Sequence, residues 1–335
     1  MRVLVTGGTG FIGSHAAAAM LDAGHEVRLL ARTPSKVSVV LGPRGIEPTE
    51  VVAGDMGDAA SVRAALEGCD AVFHAAAAVG VASGDLSAVA GNVAGTRNVV
   101  GQAVEAGCDP VLYTSSVAVL YPTTASRLTP ESRLAEPISE YGRSKLDAEE
   151  YVRGLQSDGA PVVSFLIGGV YGPDQPRLDS TMRSIVAATT QAMVVTRGGV
   201  GILDVRDLAR LVVAALEPGR GPRRFLAGGQ FLDWATWTDT LSAVIGRPVR
   251  RVRVPAPVMT TLGRTLDLAK RVRSFDYPLT YEAALYMTSG VATDDSATLA
   301  ALGVDYRPVA ETLADSTRWL VEAGHLRPEH APALS

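Results

Sequence analysis

Short apolar runs alternate with amphipathic stretches through the first half of this chain. The apolar runs predict strands at Arg2–Val5, Glu26–Ala31, Glu50–Ala53, Ala71–Ala75, Val111–Ser115 and Val162–Ile167. The stretches between them predict helices at Ser14–Ala23, Ala59–Glu67, Asp85–Ala106 and Glu140–Gln156. Because strands joined by helical crossovers pair in parallel, we expect an α/β fold with a doubly wound parallel sheet.

The second half of the chain has a less regular pattern. Gly169–Pro176 and Gly198–Gly201 have the composition of loops. Further elements are expected at Val205–Leu216, Trp234–Ile245 and Val309–Ala323, which read as helices, and at Arg224–Leu226, which reads as a short strand. This half therefore predicts a smaller lobe of mixed structure beside the sheet.

Composition narrows the classes of protein that fit this pattern. The 335 residues are 47% hydrophobic and 20% charged, which is enough for a sizeable core. The net charge of −4 argues against nucleic-acid binding. The two cysteines, Cys69 and Cys108, offer no disulfide framework, and the histidines form no metal-binding motif. Since no signal peptide or transmembrane run is recognisable, we expect a cytoplasmic protein without an integral membrane segment or a metal site.

Four glycines follow the first predicted strand directly. Gly7, Gly8, Gly10 and Gly13 precede an Ala-rich helical pattern, and the last three satisfy G-x-G-x-x-G. Glycine leaves no Cβ between backbone and phosphate, and the free N–H groups at a helix start bind an anion. Strand, glycine turn and helix in this order predict a Rossmann fold that binds a dinucleotide. We assign residues 1–166, with about 199–227, to this domain, and residues 167–198 and 228–330 to a substrate-binding lobe.

The end of the second predicted strand bears on the choice of cofactor. An acidic residue commonly binds the ribose 2′-hydroxyl of NAD at this point. Here Arg32 and Lys36 flank Ser35, with no acid among residues 29–36. Because a guanidinium pairs well with a 2′-phosphate, we expect a preference for NADP(H) over NAD(H). The alternative is that both cations are ordinary solvated surface residues.

Residues after the third and fourth strands are further candidates for cofactor contacts. Asp55 could accept a hydrogen bond from the adenine amino group, with Met56 against the ring. Alternatively, Asp55 shapes the turn, and Asp58 or Ser61 begins the next helix. The small side chains of residues 75–77 would let the backbone approach the cofactor ribose, although tight packing at the sheet edge would explain them too.

The most specific catalytic pattern is Tyr141-x-x-x-Lys145 within a predicted helix. Positions i and i+4 share a helix face, so the phenol and the ammonium are neighbours. A nearby cation lowers the pKa of a phenol, which can then exchange a proton with an alcohol or carbonyl near neutral pH. The lysine can also hold ribose hydroxyls. Ser116, at the end of the fifth strand, can hydrogen-bond the same reacting oxygen.

Together, these motifs resemble those of the extended short-chain dehydrogenase/reductase family, which includes NAD-dependent epimerases and dehydratases. The resemblance covers nearly the whole chain and rests on Thr6-Gly-Gly-Thr-Gly-Phe-Ile-Gly13, Gly54-Asp55-Met56, His74-Ala-Ala-Ala77, Asn92-Val-Ala-Gly-Thr-Arg-Asn98, Ser115-Ser116, Tyr141-x-x-x-Lys145 and Gly169-Val-Tyr-Gly-Pro173. With Arg32 in place of an acid, the chain is similar to the dihydroflavonol reductase and 3β-hydroxysteroid dehydrogenase branch.

The resemblance implies roles for individual residues. Ser116, Tyr141 and Lys145 would be the catalytic trio, and Asn92 would be structural or hold water. Cofactor contacts are implied at Gly7, Thr9, Gly10, Phe11, Ile12, Gly13, Arg32, Lys36, Asp55, Met56, Ala75, Ala76, Ala77, Tyr141, Lys145, Ile167 and Gly168. Leu166 and Ile167 stand where relatives commonly have Arg-Pro, which leaves the angle of the nicotinamide open. The resemblance also suggests a homodimer formed through the helices at 85–106 and 140–156.

Apolar residues dominate the stretches expected to contact substrate. These stretches are 79–86, 117–122, 171–193 and the segment after residue 232, and they contain Val79, Val81, Val119, Leu120, Tyr121, Met182, Ile185 and Met193. Such residues favour a small, largely apolar substrate over a sugar diphosphate, although each could simply pack the lobe.

Two basic stretches have alternative interpretations. Arg247, Arg250, Arg251 and Arg253 could clamp a diphosphate, but the spacing of the last two favours the solvent face of a strand. The helical pattern at Pro257–Arg273 could lie on an anionic membrane surface or pack on the core, and we expect the second.

The sequence leads to one main hypothesis and two alternatives. The main hypothesis is an NADP(H)-dependent oxidoreductase that interconverts a ketone or aldehyde and a secondary alcohol on a small, largely apolar substrate. The first alternative is a nucleotide-sugar epimerase or dehydratase with tightly bound NAD(P). The second is a cofactor sensor without activity, against which the complete Ser/Tyr/Lys trio argues.

Overall fold

The computed structural model describes residues 1–77, 86–272 and 281–334. Its strands are β1 Arg2–Thr6, β2 Glu26–Ala31, β3 Glu50–Ala53, β4 Ala71–His74, β5 Val111–Ser116, β6 Arg127–Leu128, β7 Val162–Ile167, β8 Gly169–Tyr171, β9 Met193–Val195, β10 Gly199–Asp204, β11 Arg223–Ala227, β12 Gln230–Asp233, β13 Arg251–Arg253 and β14 Ala292–Thr293. Its helices are α1 Phe11–Asp22, α2 Ser35–Leu41, α3 Ala59–Leu66, α4 Leu86–Thr96, α5 Gln102–Glu105, α6 Glu140–Ser157, α7 Ser180–Thr190, α8 Val205–Ala214, α9 Trp234–Ile245, α10 Ala256–Val272, α11 Tyr281–Ser289, α12 Ser296–Leu302 and α13 Val309–Glu322.

A seven-stranded parallel sheet forms the centre of the fold, in the order β11-β7-β5-β4-β1-β2-β3. Strands β2, β3 and β7 have the predicted bounds, and β1, β4 and β5 differ from them by one residue. The strand order reverses between β1 and β4, so a crevice opens there at the carboxyl ends of the strands. The doubly wound α/β fold expected from the pattern is confirmed.

Two apolar layers cover the sheet, one on each face. Val3 and Val5 of β1 pack into the layer under α1 and α8, whereas Leu4 packs into the layer under α3 and α6. Because side chains alternate across a strand, buried strands of this kind read as continuous apolar runs. This double burial is why the first half of the chain was readable from hydrophobicity alone.

The expectation of loops at Gly169–Pro176 and Gly198–Gly201 is wrong in part, because β8 and β10 begin there and form a small sheet with β12. A Cβ on Gly199 would lie 2.3 Å from Leu232 O, and one on Gly201 would lie 2.1 Å from Gly228 O. Glycine is therefore needed for close backbone approach, not for a turn. Of the predicted dinucleotide-binding segment, β11 joins the large sheet and α8 packs on α1, while β10 pairs in the small sheet.

Two helices differ from their predicted course. Helix α1 begins at Phe11, three residues before the predicted start, so the last glycine of the motif is already helical. The helix expected at Asp85–Ala106 is interrupted by a π-helical turn at Arg97–Gly101, and its first residue lies outside the described part. Asn98 in this turn donates a hydrogen bond to Met56 O at 3.0 Å, which links α4 to the end of β3. Among the described helices, none combines the length and apolar character needed to cross a bilayer.

Candidate active site

The glycine turn between β1 and α1 lies against the end of β4. Gly7 has a φ of +76°, and a Cβ there would lie 2.7 Å from Ala76 N. A Cβ on Gly13 would lie 2.2 Å from Gly7 O. Both positions therefore need glycine for close backbone approach. The packing brings Gly7 together with Ala75 and Ala76, and Ala77 follows them in the chain.

Within the described residues, no side chain caps the start of α1. The N-cap residue is the exposed Gly10, the first turn begins with Phe11, Ile12 and Gly13, and it contains no acidic residue. Uncapped N–H groups and the positive end of the helix dipole attract an anion. This helix start, with the half-buried Thr9 beside it, therefore fits the pyrophosphate of a dinucleotide.

A buried hydrogen-bond chain joins the carboxyl ends of β1, β4 and β5. His74 Nδ1 lies 2.7 Å from Thr6 Oγ1, its Nε2 lies 3.2 Å from Thr96 Oγ1, and its carbonyl accepts a bond from Thr114 Oγ1 at 3.0 Å. Burial, with a smaller effect of the Lys145 charge, lowers the pKa of His74 to about 3, so the ring is neutral. The sequence analysis assigned His74 no role, although a histidine ending an apolar strand was a signal.

Arg32 and Asp55 face each other at the ends of β2 and β3. Arg32 Nε lies 3.9 Å from Asp55 Oδ2, and the Arg32 side chain is 82% exposed. Lys36 is also exposed, in the first turn of α2. Asp55 Oδ1 accepts a bond from Gly57 N at 2.7 Å, and Asp58 caps α3. Asp55 thus shapes the turn, as the alternative interpretation has it, while its other oxygen faces Arg32.

Met56 packs against helix α4. A Cβ on Gly95 of that helix would lie 2.7 Å from Met56 Sδ, and the side chain is partly buried in the layer under α3 and α6. The helix therefore holds Met56 in place beside the end of β3. Its contact with an adenine ring stays a prediction.

Helix α6 carries Tyr141 and Lys145 and begins where the pattern predicts. Ser139 is its N-cap, and its Oγ accepts a hydrogen bond from Gly142 N at 2.9 Å. A Cβ on Gly142 would lie 2.5 Å from Pro137 Cβ, so glycine lets the first turn pack on the preceding loop. The helix also packs against β5 and the 3-10 turn Val117–Leu120 that follows it.

Lys145 is buried with its amine at the end of β5. Nζ donates a hydrogen bond to Thr114 O at 2.9 Å and lies 5.3 Å from the centre of the Tyr113 ring. Burial lowers the pKa of this amine to about 8, and the negative charge of Glu149 acts in the opposite direction. The lysine therefore titrates near neutrality, one helical turn from Tyr141.

Ser116 is the last residue of β5 and pairs in register with Ile167 of β7. Its Oγ accepts a hydrogen bond from Ala118 N at 3.1 Å, and the residue is partly exposed. Ser115, by contrast, is 1% exposed, and its Oγ has no hydrogen-bond partner within the described residues. Of the two serines, Ser116 is the one that is accessible to solvent.

Two further predicted positions have structural partners. A Cβ on Gly168 would lie 2.2 Å from Gly228 O, so packing alone requires glycine there, and the half-buried Ile167 precedes it. The buried Asn92 lies with its Nδ2 3.4 Å from Ser144 Oγ, and this hydroxyl donates to Tyr141 O at 2.8 Å. Asn92 thus joins α4 to the turn of α6 that carries the tyrosine.

Most of the predicted substrate-contacting residues are core residues. Val119 and Leu120 are buried beneath α6, and Met182, Ile185 and Met193 are buried in the core of the small lobe. Val79 and Val81 lie outside the described residues. Six of the eight are described. The alternative, that the side chains pack the lobe, holds for Met182, Ile185 and Met193, whereas Val119 and Leu120 pack between α6 and the large sheet.

Tyr121 lines an apolar pocket. The other lining residues are Pro122, Ile138, Leu285, Tyr286 and Ser289, and none of the six is charged. The Tyr121 and Tyr286 rings meet edge to face at 4.9 Å, and Tyr121 Oη accepts a bond from Val291 N at 3.1 Å. Tyr121 follows Ser116 by five positions, and Ile138 precedes Tyr141 by three. The pocket is therefore lined by residues close in sequence to two of the catalytic candidates.

The basic cluster has the position that its spacing predicts. Arg251 and Arg253 lie exposed on β13, a short strand that pairs with β9 at the surface. Arg251 forms an ion pair with Asp239, which is also exposed. The solvent-facing strand is confirmed.

Comparison with known proteins agrees with the motifs and the topology. The family model for the NAD dependent epimerase/dehydratase family matches residues 3–228. The chain is 30% identical to sterol demethylase protein B of Methylococcus capsulatus, over 97% of this chain and 99% of that protein. It is 29% identical to a 3-beta-hydroxysteroid dehydrogenase of Mycolicibacterium neoaurum, over 76% of this chain and 72% of that protein.

The fold is shared with solved structures of the same kind. A UDP-glucose-4-epimerase from Stenotrophomonas maltophila, with bound NAD and formylated UDP-arabinopyranose, superposes with a TM-score of 0.78. It is 22% identical, and the alignment covers 97% of this chain and 99% of that one. With the family model, the relatives and the glycine turn in agreement, the chain belongs to the NAD-dependent epimerase/dehydratase family, within the extended short-chain dehydrogenases/reductases, whose members are NAD(P)-dependent enzymes.

Proposed function

We propose that this protein is an NADP(H)-dependent oxidoreductase that interconverts a ketone or aldehyde and a secondary alcohol on a small, largely apolar substrate. The observation that carries the proposal is the buried Lys145 amine, held on Thr114 O at the end of β5 and one helical turn from Tyr141. A buried cation in this position assists proton transfer, because it favours ionisation of the neighbouring Tyr141 phenol.

Each residue of the trio has a separate task in the proposed reaction. Bound NADPH supplies the hydride that reduces the carbonyl carbon. Tyr141 donates its proton to the carbonyl oxygen, and Lys145 lowers the phenol pKa and holds the ribose. Ser116 donates a hydrogen bond to the same oxygen, where negative charge develops. In the reverse direction Tyr141 accepts the proton of the alcohol.

The phosphorylated cofactor is proposed from the charge at the ends of β2 and β3. Arg32 is 82% exposed, and Lys36 is exposed one turn later, so both cations are available to a 2′-phosphate. Asp55 is already engaged by Gly57 N and lies near the Arg32 guanidinium. The Asp55 charge orients the Arg32 side chain, and the Arg32 guanidinium remains the group that would bind the 2′-phosphate.

An apolar substrate is proposed from the apolar pocket whose lining residues Tyr121 and Ile138 lie close in sequence to Ser116 and Tyr141. Its lining of two tyrosines, proline, isoleucine, leucine and serine offers no cation for a diphosphate. The likeness to a 3-beta-hydroxysteroid dehydrogenase, whose name denotes a secondary alcohol on an apolar ring system, supports the same substrate class.

The test is a panel of apolar ketones, aldehydes and secondary alcohols, with UDP-sugars included, followed by NADPH absorbance. Net consumption of NADPH with an apolar ketone supports the proposal. The alternative function, a nucleotide-sugar epimerase or dehydratase, requires tightly bound NAD in the purified protein and turnover of a UDP-sugar without net cofactor consumption. That result would replace the proposal.

We also propose a cytoplasmic homodimer that associates through the helices α4 and α6. The suggestion comes from the family resemblance. Sedimentation equilibrium gives the mass directly, and a monomer at all concentrations would reject the dimer.

A further inference from the structure

Helix α10 presents an apolar face to solvent. Val258, Leu262 and Leu268 are 55%, 44% and 62% exposed. Thr261, Thr265 and Ala269 are exposed between them, at the i+3 and i+4 spacings of one helix side. The opposite side packs inward, because Met259 is buried and the helix lies on α11.

Exposed apolar side chains are concentrated in β13 and α10. Six large hydrophobic residues are exposed within the described part of the chain, and four of them, Val252, Val258, Leu262 and Leu268, lie within seventeen residues. Scattered exposed residues are normal at a protein surface, whereas a cluster on one helix marks a contact surface. The sequence-based expectation that α10 packs on the core is correct only for its inner side.

Basic residues are concentrated in α10 and in the segment that precedes it. Residues 247–273 contain eight arginines and lysines and one acid, Asp267, in a chain whose net charge is −4. Arg250, Arg253 and Arg264 are exposed, and Arg251 is paired with Asp239. Lys270, Arg271 and Arg273 follow in the sequence, but their side chains lie outside the described part. The local charge is therefore opposite in sign to that of the whole molecule.

Internal contacts leave this charge available to a partner. Arg264 lies 4.4 Å from the centre of the Tyr281 ring and donates to Tyr281 Oη at 2.7 Å, which is a neutral partner. Asp267 accepts a bond from Tyr281 N at 2.9 Å, which directs it toward α11. These two contacts fix α10 on α11 and do not neutralise the arginines.

From this arrangement we infer that α10, with β13 before it, binds the surface of an anionic lipid bilayer. The apolar face enters the boundary between headgroups and acyl chains, and the arginines contact anionic headgroups. Each cation near such a surface strengthens binding, and salt screens this contribution. The inference concerns binding only and does not depend on the proposed reaction.

The test is flotation of the purified full chain with vesicles of phosphatidylcholine alone or mixed with phosphatidylglycerol. Wild-type protein should float with the mixed vesicles at low salt, and high salt should release it. Leu262→Glu with Leu268→Glu, and Arg250→Glu with Arg253→Glu, should each lower binding at least about tenfold. Val39→Glu is the matched control, because Val39 is 71% exposed on α2 and should have no effect.

Three results would overturn the inference. The first is a wild-type protein that does not float, or that floats equally with both kinds of vesicle. The second is an equal loss in the Val39→Glu control. The third is a protein that does not bind vesicles but self-associates, with the self-association abolished in the Leu262→Glu and Leu268→Glu double variant. That result would assign the face to a second copy of the chain. Far-UV circular dichroism and the melting temperature of each variant verify the fold.

Discussion

Glu149 is buried one helical turn beyond Lys145 on α6, and its charge raises the pKa of the amine that burial lowers to about 8. The carboxylate is completely buried, and its Oε1 accepts a hydrogen bond from Arg153 Nε at 2.9 Å. Because the interior screens charge weakly, Glu149 acts on Lys145 without touching the site. Glu149 is thus a positioning residue, because it acts on the protonation of Lys145 and not on the reacting groups themselves.

The first prediction concerns the pH dependence of turnover. The rate of carbonyl reduction should fall above about pH 8 as Lys145 loses its proton, because a neutral amine no longer stabilises ionisation of the phenol. Glu149→Gln removes the charge that raises the lysine pKa, so the alkaline limb of kcat should move to lower pH. The measurement is kcat as a function of pH under saturating NADPH and substrate.

The matched control for this shift is Glu150→Gln. Glu150 is the next residue of α6 and is exposed, so its substitution should leave the limb in place. A limb that is the same in the wild type and in Glu149→Gln would show that Glu149 does not act on Lys145. A shift of equal size in Glu150→Gln would also show that the shift is not specific to Glu149.

The second prediction compares the stability of two Gly→Ala variants that differ in the space available for the added methyl group. Gly13→Ala places a methyl group 2.2 Å from Gly7 O and should lower the free energy of unfolding by about 1–3 kcal/mol. Gly154→Ala, within α6, meets no atom within 4 Å and should raise it by about 0.5–1 kcal/mol. Urea denaturation of both variants measures the difference. Equal stabilities would contradict the packing at the glycine turn.

The third prediction concerns cofactor choice. Arg32→Glu replaces the cation proposed for the 2′-phosphate by an anion, and the Kd for NADPH should rise by about 10-fold to 100-fold, since a charged hydrogen bond contributes about 1.5–3 kcal/mol. NADH binding should change little. Arg63→Glu, an exposed arginine on α3, is the control for net charge. Equal affinity of the wild-type protein for NADH and NADPH would reject the preference for NADP(H).

The fourth prediction concerns stability in acid. Burial lowers the pKa of His15 to about 4, with the Arg44 charge acting in the same direction, and the pKa of His74 to about 3. Below about pH 6.5 the unfolded chain binds protons that the folded chain does not, so the free energy of unfolding falls with pH. Each histidine should contribute a loss of about 2 kcal/mol between about pH 6.5 and pH 5.

Urea denaturation at about pH 7 and about pH 5 measures this loss. His15→Asn should reduce the difference between the two pH values by the contribution of one histidine. His325→Gln, at a solvent-exposed position, serves as the comparison and should leave the difference as it is. An unfolding free energy that is constant over this range would mean that the two histidines bind protons in the folded protein as readily as in the unfolded chain.

The residues that could be predicted from sequence are those whose environment is local or periodic. The buried strands form apolar runs in the sequence, and Gly7 and Gly13 follow the first strand at a fixed spacing. The strands and the glycine turn could therefore both be predicted. Tyr141 and Lys145 share a helix face by their spacing alone. Ser116 was identified as the end of a strand, which is where the structure has it.

The residues that escaped prediction depend on contacts between distant segments. Gly199 and Gly201 read as loop residues, yet backbone atoms of residues 27 or more positions away require them to be glycine. Thr114 holds Lys145 through its backbone carbonyl, which no side-chain pattern reveals. Leu262 has the spacing of a core residue, and only the position of α11 shows that it faces outward.

The central claim, that Tyr141 is the proton donor of a carbonyl reduction, is tested most directly by the steady-state rate of NADPH oxidation in Tyr141→Phe, with the best ketone from the panel. The rate should fall by at least about 100-fold, because loss of the phenol hydroxyl removes general acid catalysis. Binding of NADPH should stay within about twofold of the wild type, because the ring is retained. Wild-type turnover in Tyr141→Phe would contradict the claim.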